Sequence, residues 1–404
     1  MRALLLCSTL FIGHAAFAQK GCTDPQATNY NPQASINDGS CYYKTTSAAP
    51  DRLCKRISDS LSESSGLMLY NNWFWSHNDS DNPPEIMAFD SIGGHLLHTT
   101  FISNAKNTDW EDITQDAQHI YIGNFGNNGG SRRDLSIVKI KKADLKLTQK
   151  RDTVLAEFIY FKMGDQTDFT DKFIETDYDM EAFFFAGDSL HLFSKNWVDK
   201  MTRHYVCPID TGTYTLTPVE TINVGGQISG ASISEDGTVA LIGYTKPYYP
   251  CFMWLMWDYK NLRFNTGNRR KIDLGNTLFP GQIEGTALRH STVYLSNENK
   301  VATQQLLKLN AGKWMDKTNT NAVEDTFVQR TSISFKTGTL TVNSIDIENG
   351  MLLLVFDING KRVFNAEFKT IETEKQERFD LSSLPKGIYV IKCERVVLDK
   401  ISIE

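Results

Sequence analysis

The sequence predicts an all-β protein, a β-propeller of six blades followed by a small C-terminal β-sandwich. Three observations predict it. The 404 residues carry 23 Phe, 15 Tyr and 7 Trp against 11 Pro, and aromatic side chains suit the pleated surface of a strand. Between residues 46 and 325 the chain repeats itself, and beyond residue 331 it alternates polar and apolar residues in short runs. With 41% hydrophobic and 22% charged residues the composition is globular. The 42 basic and 48 acidic side chains leave a net charge of −6 with no strongly basic segment, which disfavours general nucleic-acid binding.

Residues 1–18 read as a secretory signal peptide: Arg2, an apolar run from Ala3 to Ile12, and Ala16-Phe17-Ala18 before Gln19. The apolar run is short of the roughly 20 residues that span a bilayer, and no other segment is expected to span one. Export makes disulfides relevant. In residues 19–45, Cys22 and Cys41 enclose a stretch of Asn, Asp, Pro and Gly with almost nothing apolar to bury. A Cys22–Cys41 disulfide would staple it. Asp24, Asn29, Asn31 and Asp38 are oxygen ligands of the kind Ca²⁺ accepts, or equally a set of Asx-turns with no metal. The pairing of Cys54, Cys207, Cys251 and Cys393 stays open.

Five segments of residues 46–325 superpose on an acidic or hydroxyl residue followed by a small or short one. They begin at Ser65, Glu111, Glu181, Ser229 and Glu284. Each continues as a strand, a turn and a second strand ending in polar residues. From Ser65 to Asn78, Glu111 to Asn124 and Glu284 to Asn297 the gap is thirteen positions each time. The starts fall 46, 70, 48 and 55 residues apart, close to the roughly 40 to 50 of a four-stranded blade. The 70-residue gap leaves room for an insertion or a degenerate blade. A sixth blade is expected from leftover or terminal strands.

In a propeller the first strand of each repeat is innermost, so Glu111, Glu181 and Glu284 converge on a central channel with Ser65 and Ser229 between them. Carboxylates gathered in low dielectric need a positive partner or raised pKa values. Oxygen-only ligands favour Ca²⁺ or Mg²⁺, and no zinc spacing occurs, His95 and His98 standing three apart. The alternative is that these Glu side chains cap backbone amides between blades. A second ring of Asn78, Asp79, Asn124, Lys195, Asn196, Asn297 and Glu298 flanks the same opening as a candidate ligand site. His77 is a candidate proton donor, and Lys195 with Arg132 or Arg133 a candidate anion contact. Gly123–Gly130 lacks the helix and Lys-Ser/Thr of a phosphate loop, and Ser229 lacks the hydrolase elbow spacing.

The C-terminal runs are Leu340–Val342, Leu352–Asp357, Arg362–Phe368, Gly387–Lys392 and Lys400–Ile403. Asn359-Gly360 between two of them is a strong hairpin signal, because a type I′ turn needs two residues tolerant of positive φ. Val355–Val363, Asp380–Tyr389 and the closing Lys400-Ile401 resemble the type A C-terminal sorting domain of the type IX secretion system, over about residues 331–404. The usual Pro-Asn-Pro opening is absent, with Lys336-Thr337-Gly338 in its place. The resemblance implies that residues 331–404 engage the type IX machinery, that the protein is carried to the cell surface or medium, and that the domain is then removed.

Glu63–Leu67, His77–Ser80, Thr108–Ile113, Tyr121–Asn128, Asp179–Ala182 and Ile283–Gly285 resemble secreted bacterial propellers of the phytase-like group. That resemblance implies Ca²⁺ held by channel carboxylates and, in the enzymes of the group, hydrolysis of phosphate esters. A full set of phosphate-binding Lys and Arg is not traceable here. The expected function is a surface or secreted propeller that binds a ligand or partner, with a cation near Glu111, Glu181 and Glu284. The alternative is a Ca²⁺-dependent phosphoesterase with Glu111 or Glu181 as base. The expected divisions are 1–18, 19–45, 46–325 and 331–404.

Overall fold

Each repeat turns its alternation of apolar and polar residues into antiparallel strands. Successive side chains on a strand point to opposite faces, so one row faces the sheet before it and the other the sheet after it. The computed structural model describes residues 19–246, 250–276, 278–299, 302–315, 331–336, 338–344, 352–357, 361–367, 376–393 and 396–403. The expected signal peptide, residues 1–18, and the expected Asn359-Gly360 turn lie outside them. The chain divides between residues 316 and 317 into two units.

Among the described residues the first unit holds five sheets of four or five strands. Their innermost strands are Ser64–Tyr70, Trp110–Gln115, Asp179–Ala186, Gln227–Ile233 and Ile283–Arg289, which define sheets I to V. Each innermost strand lies against the next, and that of sheet V lies against that of sheet I. The arrangement is propeller-like. Large buried side chains such as Trp75, Trp110, Phe183, Phe193 and Trp257 fill the spaces between sheets.

The count is five where six blades were expected, because the leftover strands extend sheets that already exist. Arg151–Val154 pairs in parallel with Leu96–Ile102 of sheet I, and Gly212–Leu216 with Glu157–Met163 of sheet II. Thr46–Ser47 joins the edge of sheet IV, and Asp51–Cys54 pairs with Leu306–Asn310 to complete sheet V. The 70-residue gap is an insertion, made of Arg151–Val154 and the loop after Met163.

The N-terminal module contains the Cys22–Cys41 disulfide. Its acidic and amide side chains form Asx-turns. Asp24, Asn31, Asn37 and Asp38 accept the N–H two residues on, from Gln26, Gln33, Gly39 and Ser40. Asn37 also donates to Asp258 and Asn268 at 2.9 Å, and Tyr43 packs on Trp257, so the module is seated on sheet IV. Cys54 and Cys207 are buried free thiols, and Cys251 is buried as well.

The second unit pairs a sheet of Thr331–Lys336, Thr339–Ser344 and Gln376–Asp380 with one of Arg362–Glu367, Leu352–Asp357, Gly387–Cys393 and Val396–Ile403. Alternate residues of both, Leu340, Val342 and Phe379 with Leu353, Val355, Tyr389 and Ile391, share one core. That is a small β-sandwich. Thr331–Lys336 and Gln376–Asp380 are strands that sequence reading did not pick out.

Candidate functional site

Four of the five repeat starts sit in a β-bulge at the entry of an innermost strand, and the fifth, Ser65, stands just before one. Pairing in sheet III jumps from Met180 with Ser194 to Ala182 with Phe193, which leaves Glu181 unpaired. Ser229 and Glu284 are left out in the same way in sheets IV and V. In sheet II the irregularity spans Glu111 and Asp112, and in sheet I it follows Ser65. A bulge frees a side chain from the alternation of the strand and re-aims it.

The two serines join sheets. Ser65 donates its hydroxyl to Glu111 O at 2.7 Å, and Ser229 to Ile283 O at 2.8 Å. The following residues are small where backbones approach, a Cβ on Gly66 meeting Ile113 N at 2.8 Å. Asp112 is the exception. Its carboxylate is buried and accepts N–H bonds from Ile113, Phe183 and Ala231 at 2.8, 3.1 and 3.2 Å, tying sheets II, III and IV.

The three glutamates are nearly fully buried, and Glu181 lies within electrostatic range of both Glu111 and Glu284. Oxygens of Glu111, Asp109 and Asp79 all lie within 4.8 Å of one another. Burial, then Asp79 and Asp179, raises the Asp109 carboxyl to about 7. Burial and the charge of Glu181, Asp79 and Asp109 push Glu111 well above the usual range. Gly126 closes over this group, and a Cβ there would collide with the carboxylates of Glu111 and Asp109. Asn124 accepts the Asp109 N–H at 3.1 Å, and Asn107 donates to the carbonyls of Asn78 and Asp79 at 3.0 and 2.8 Å, so both acidic loops are fixed from behind.

Glu181 and Glu284 are differently partnered. Lys195 forms a 2.8 Å ion pair with Glu181. Burial alone would lower this lysine, but Glu181, Tyr244, Glu284 and Asp179 outweigh it and raise it well above its ordinary value. Asp179 accepts N–H bonds from Asn127 at 2.7 Å and from the Trp197 indole at 2.8 Å. Gln282 donates to Glu284 at 2.6 Å and to Glu298 at 3.0 Å.

The register sorts the second ring. Lys195 follows the residue paired with Met180, as Asp79 follows the partner of Ser64 and Glu298 that of Ile283. Asp79, Lys195 and Glu298 are therefore equivalent, and Tyr244 takes this place in sheet IV. Asn78, Asn124 and Asn297 instead hold backbone. Asn78 donates to Ser60 O, and Asn297 donates to Glu298 O and accepts from Gln305 N–H. Asn196 accepts the N–H of Val198 and Asp199. His77 is buried edge-on against Trp110, and burial lowers it to about 4. Arg132 donates to Gly126 O at 2.7 Å beside the acidic group, whereas Arg133 lies over the Phe169 ring.

Sequence reasoning missed Asp109, Asp179, Gln282, Tyr244 and Gly126. A signal for the first three is present two positions before each repeat start: Glu63, Asp109, Asp179, Gln227 and Gln282. Of this row, Asp109 lies beside Glu111, Asp179 beside Glu181, and Gln282 on Glu284.

The sandwich unit decides where the protein goes. Residues 332–402 match the secretion system C-terminal sorting domain family. The protein is exported through the type IX secretion system to the cell surface or beyond. Among the described residues no helix is long and apolar enough to cross a membrane. A 25-residue stretch is 72% identical to ribulose bisphosphate carboxylase/oxygenase activase 1, chloroplastic, of Larrea tridentata, over 6% of this chain and 5% of that one. The chain thus spans a small fraction of that relative.

Solved structures similar to the chain include PQQ-bound aldose sugar dehydrogenase from Streptomyces coelicolor, at 12% identity and a TM-score of 0.36 over 63% of this chain and 96% of that one. Calcium-binding regucalcin from Agrobacterium tumefaciens gives 10% and 0.35 over 66% and 95%. A putative gluconolactonase gives 11% and 0.32 over 65% and 93%.

Proposed function

We propose that residues 46–315 form a closed five-bladed propeller that binds a divalent cation, Ca²⁺ by ligand type, and presents it to a ligand or partner at the channel mouth outside the cell. The observation that carries this is the grouping of Asp79, Asp109 and Glu111 oxygens within 4.8 Å. At an effective dielectric of about 20, two unit charges that far apart repel by roughly 3.5 kcal/mol. Protons or a cation must relieve that repulsion, and an all-oxygen set suits Ca²⁺. Asp79, Asp109 and Glu111 would hold the ion. Gly126 makes room for their carboxylates, and Asn107 and Asn124 keep the two loops in place. Glu181 is paired with Lys195, and Glu284 is held by Gln282.

The hydrolase reading draws on the same carboxylates. Asp109 is raised to about 7 while no ion is bound, and an ion that takes Asp109 as a ligand displaces that proton, which leaves the carboxylate able to accept one from an attacking water. A cation, when bound, would supply positive charge to a phosphoryl oxygen. Calorimetric titration of Ca²⁺ into the metal-stripped full chain tests both readings. Binding should be lost in Asp109→Asn/Glu111→Gln and kept within about tenfold in Glu284→Gln, since a carboxamide accepts the Gln282 bond as a carboxylate does. No binding to the wild-type chain refutes the cation site. Ca²⁺-dependent turnover of an aryl phosphate, lost in the double variant, would establish the hydrolase reading.

A further inference from the structure

Apart from the channel carboxylates, sheet III buries two histidines side by side. His191 lies on Ser189–Lys195 and His204 on Met201–Pro208, at 3% and 0% exposure. Three short contacts run in series through them. His191 Nε2 meets Ala186 O at 3.2 Å, His191 Nδ1 meets His204 Nε2 at 2.8 Å, and His204 Nδ1 meets Glu220 Oε1 at 3.2 Å. Glu220 also accepts the N–H of Phe264 at 2.8 Å and of Asn265 at 3.1 Å, both from the chain of sheet IV.

Each contact needs one hydrogen between its two heavy atoms. Ala186 O only accepts. Glu220 receives N–H donors on both oxygens, and although burial raises its pKa, the bonds from His204, Phe264 and Asn265 outweigh this and hold it lowered, as a carboxylate. The three contacts therefore require three ring protons. Two neutral imidazoles carry one N–H each, so the series is one proton short.

We infer that His191, His204 and Glu220 form an acid-completed clasp, in which one proton from solvent, shared between the two rings, supplies the missing N–H and joins Ala186 of sheet III without a gap to residues 264–265 beside sheet IV. No covalent bond changes, and Glu220 is the counter-charge. The groups that face the pair set its midpoint. Burial, His204 and Arg263 oppose protonation of His191, while Ala186 O and Glu220 favour it, and burial leads, to about 4. Burial and Arg263 also hold His204 below its ordinary value against Glu220. Arg269 lies within electrostatic range of Glu220. Phe184, Phe193 and Phe264 wall the pair from solvent. The clasp is open at neutral pH and closes on acidification.

The test is long-range ¹H–¹⁵N NMR of the imidazoles in the full wild-type chain, recorded from pH 8 to pH 4. The expected result is that both rings shift together with a single midpoint between about 4 and the ordinary 6.5, with one proton taken up by the pair. Separate midpoints, two protons, or two rings unchanged down to pH 4 would overturn the inference. Glu220→Gln should lower the shared midpoint by about one unit or more, through loss of an opposite charge in contact. An unchanged midpoint in that variant would remove Glu220 from the clasp and overturn it as stated.

Discussion

The metal-free protein should lose stability as pH rises from about 4 to about 7, and the Asp109 carboxyl provides the magnitude. Its folded value is about 7 against an ordinary 3.8. Below both values the carboxyl is protonated in either state and costs nothing. Between them the unfolded chain ionises while the folded chain keeps its proton, so the folded state binds more protons and stability falls with pH. At about 1.36 kcal/mol per unit the full loss above pH 7 is about 4 kcal/mol, or roughly 8 °C in Tm for a unit of this size. A cation reverses the sign, since it replaces protons and binds the folded state alone. At a hundred times its Kd it restores about 2.7 kcal/mol. Scanning calorimetry at pH 5 and pH 8, with chelator and with excess Ca²⁺, reads all four states. In Asp109→Asn the pH 8 penalty should shrink and the Ca²⁺ gain should vanish. A metal-free Tm that is flat or rises from pH 5 to pH 8, equal in wild type and Asp109→Asn, would refute the reasoning.

Gly126→Ala would put a methyl against the Glu111 and Asp109 carboxylates, so Ca²⁺ affinity measured by calorimetry should fall at least about tenfold through misplaced ligands. Asp112→Ala leaves the N–H groups of Ile113, Phe183 and Ala231 without their acceptor. At about 1–3 kcal/mol for each unsatisfied buried group it should be among the most destabilising single substitutions, by urea unfolding. Cys22→Ser/Cys41→Ser removes a cross-link with a sequence separation of 19, which costs roughly 3 kcal/mol. Early protease cleavage confined to residues 19–45 is the expected readout.

Five repeat starts were legible in the sequence because each sits in, or for Ser65 just before, the same bulge, and a bulge constrains residue type at one position and its neighbour. Leu352–Asp357 was readable to the residue because a short apolar run ends at Asp357 just before Asn359-Gly360, and its alternate residues Leu353 and Val355 enter one core. The blade count was not. Thr46–Ser47 and Asp51–Cys54 are two and four residues long and gain their identity from the sheet edge they join, so nothing local tells a blade from an addition to one. The glutamates could be named from sequence, but their partners could not. Whether Glu181 faces a cation or Lys195 depends on where pairing stops in sheet III, and Asp109 entered the site through a layer whose pattern shows only once the bulges align.

The strand Asp51–Cys54 has a consequence for how the chain comes into being. Its partner edge lies in sheet V, and Arg52 reaches Gln305 across 253 residues of sequence. Asp51–Cys54 must wait for this partner until nearly the whole unit has been made, and until Leu306–Asn310 arrives it offers its own open edge to any passing strand. Such distant pairing is slow to form. Completeness is thus tested by the fold itself: a chain that stops short of Asn310 cannot close sheet V, and its free edges mark it as unfinished before the sorting domain is ever reached.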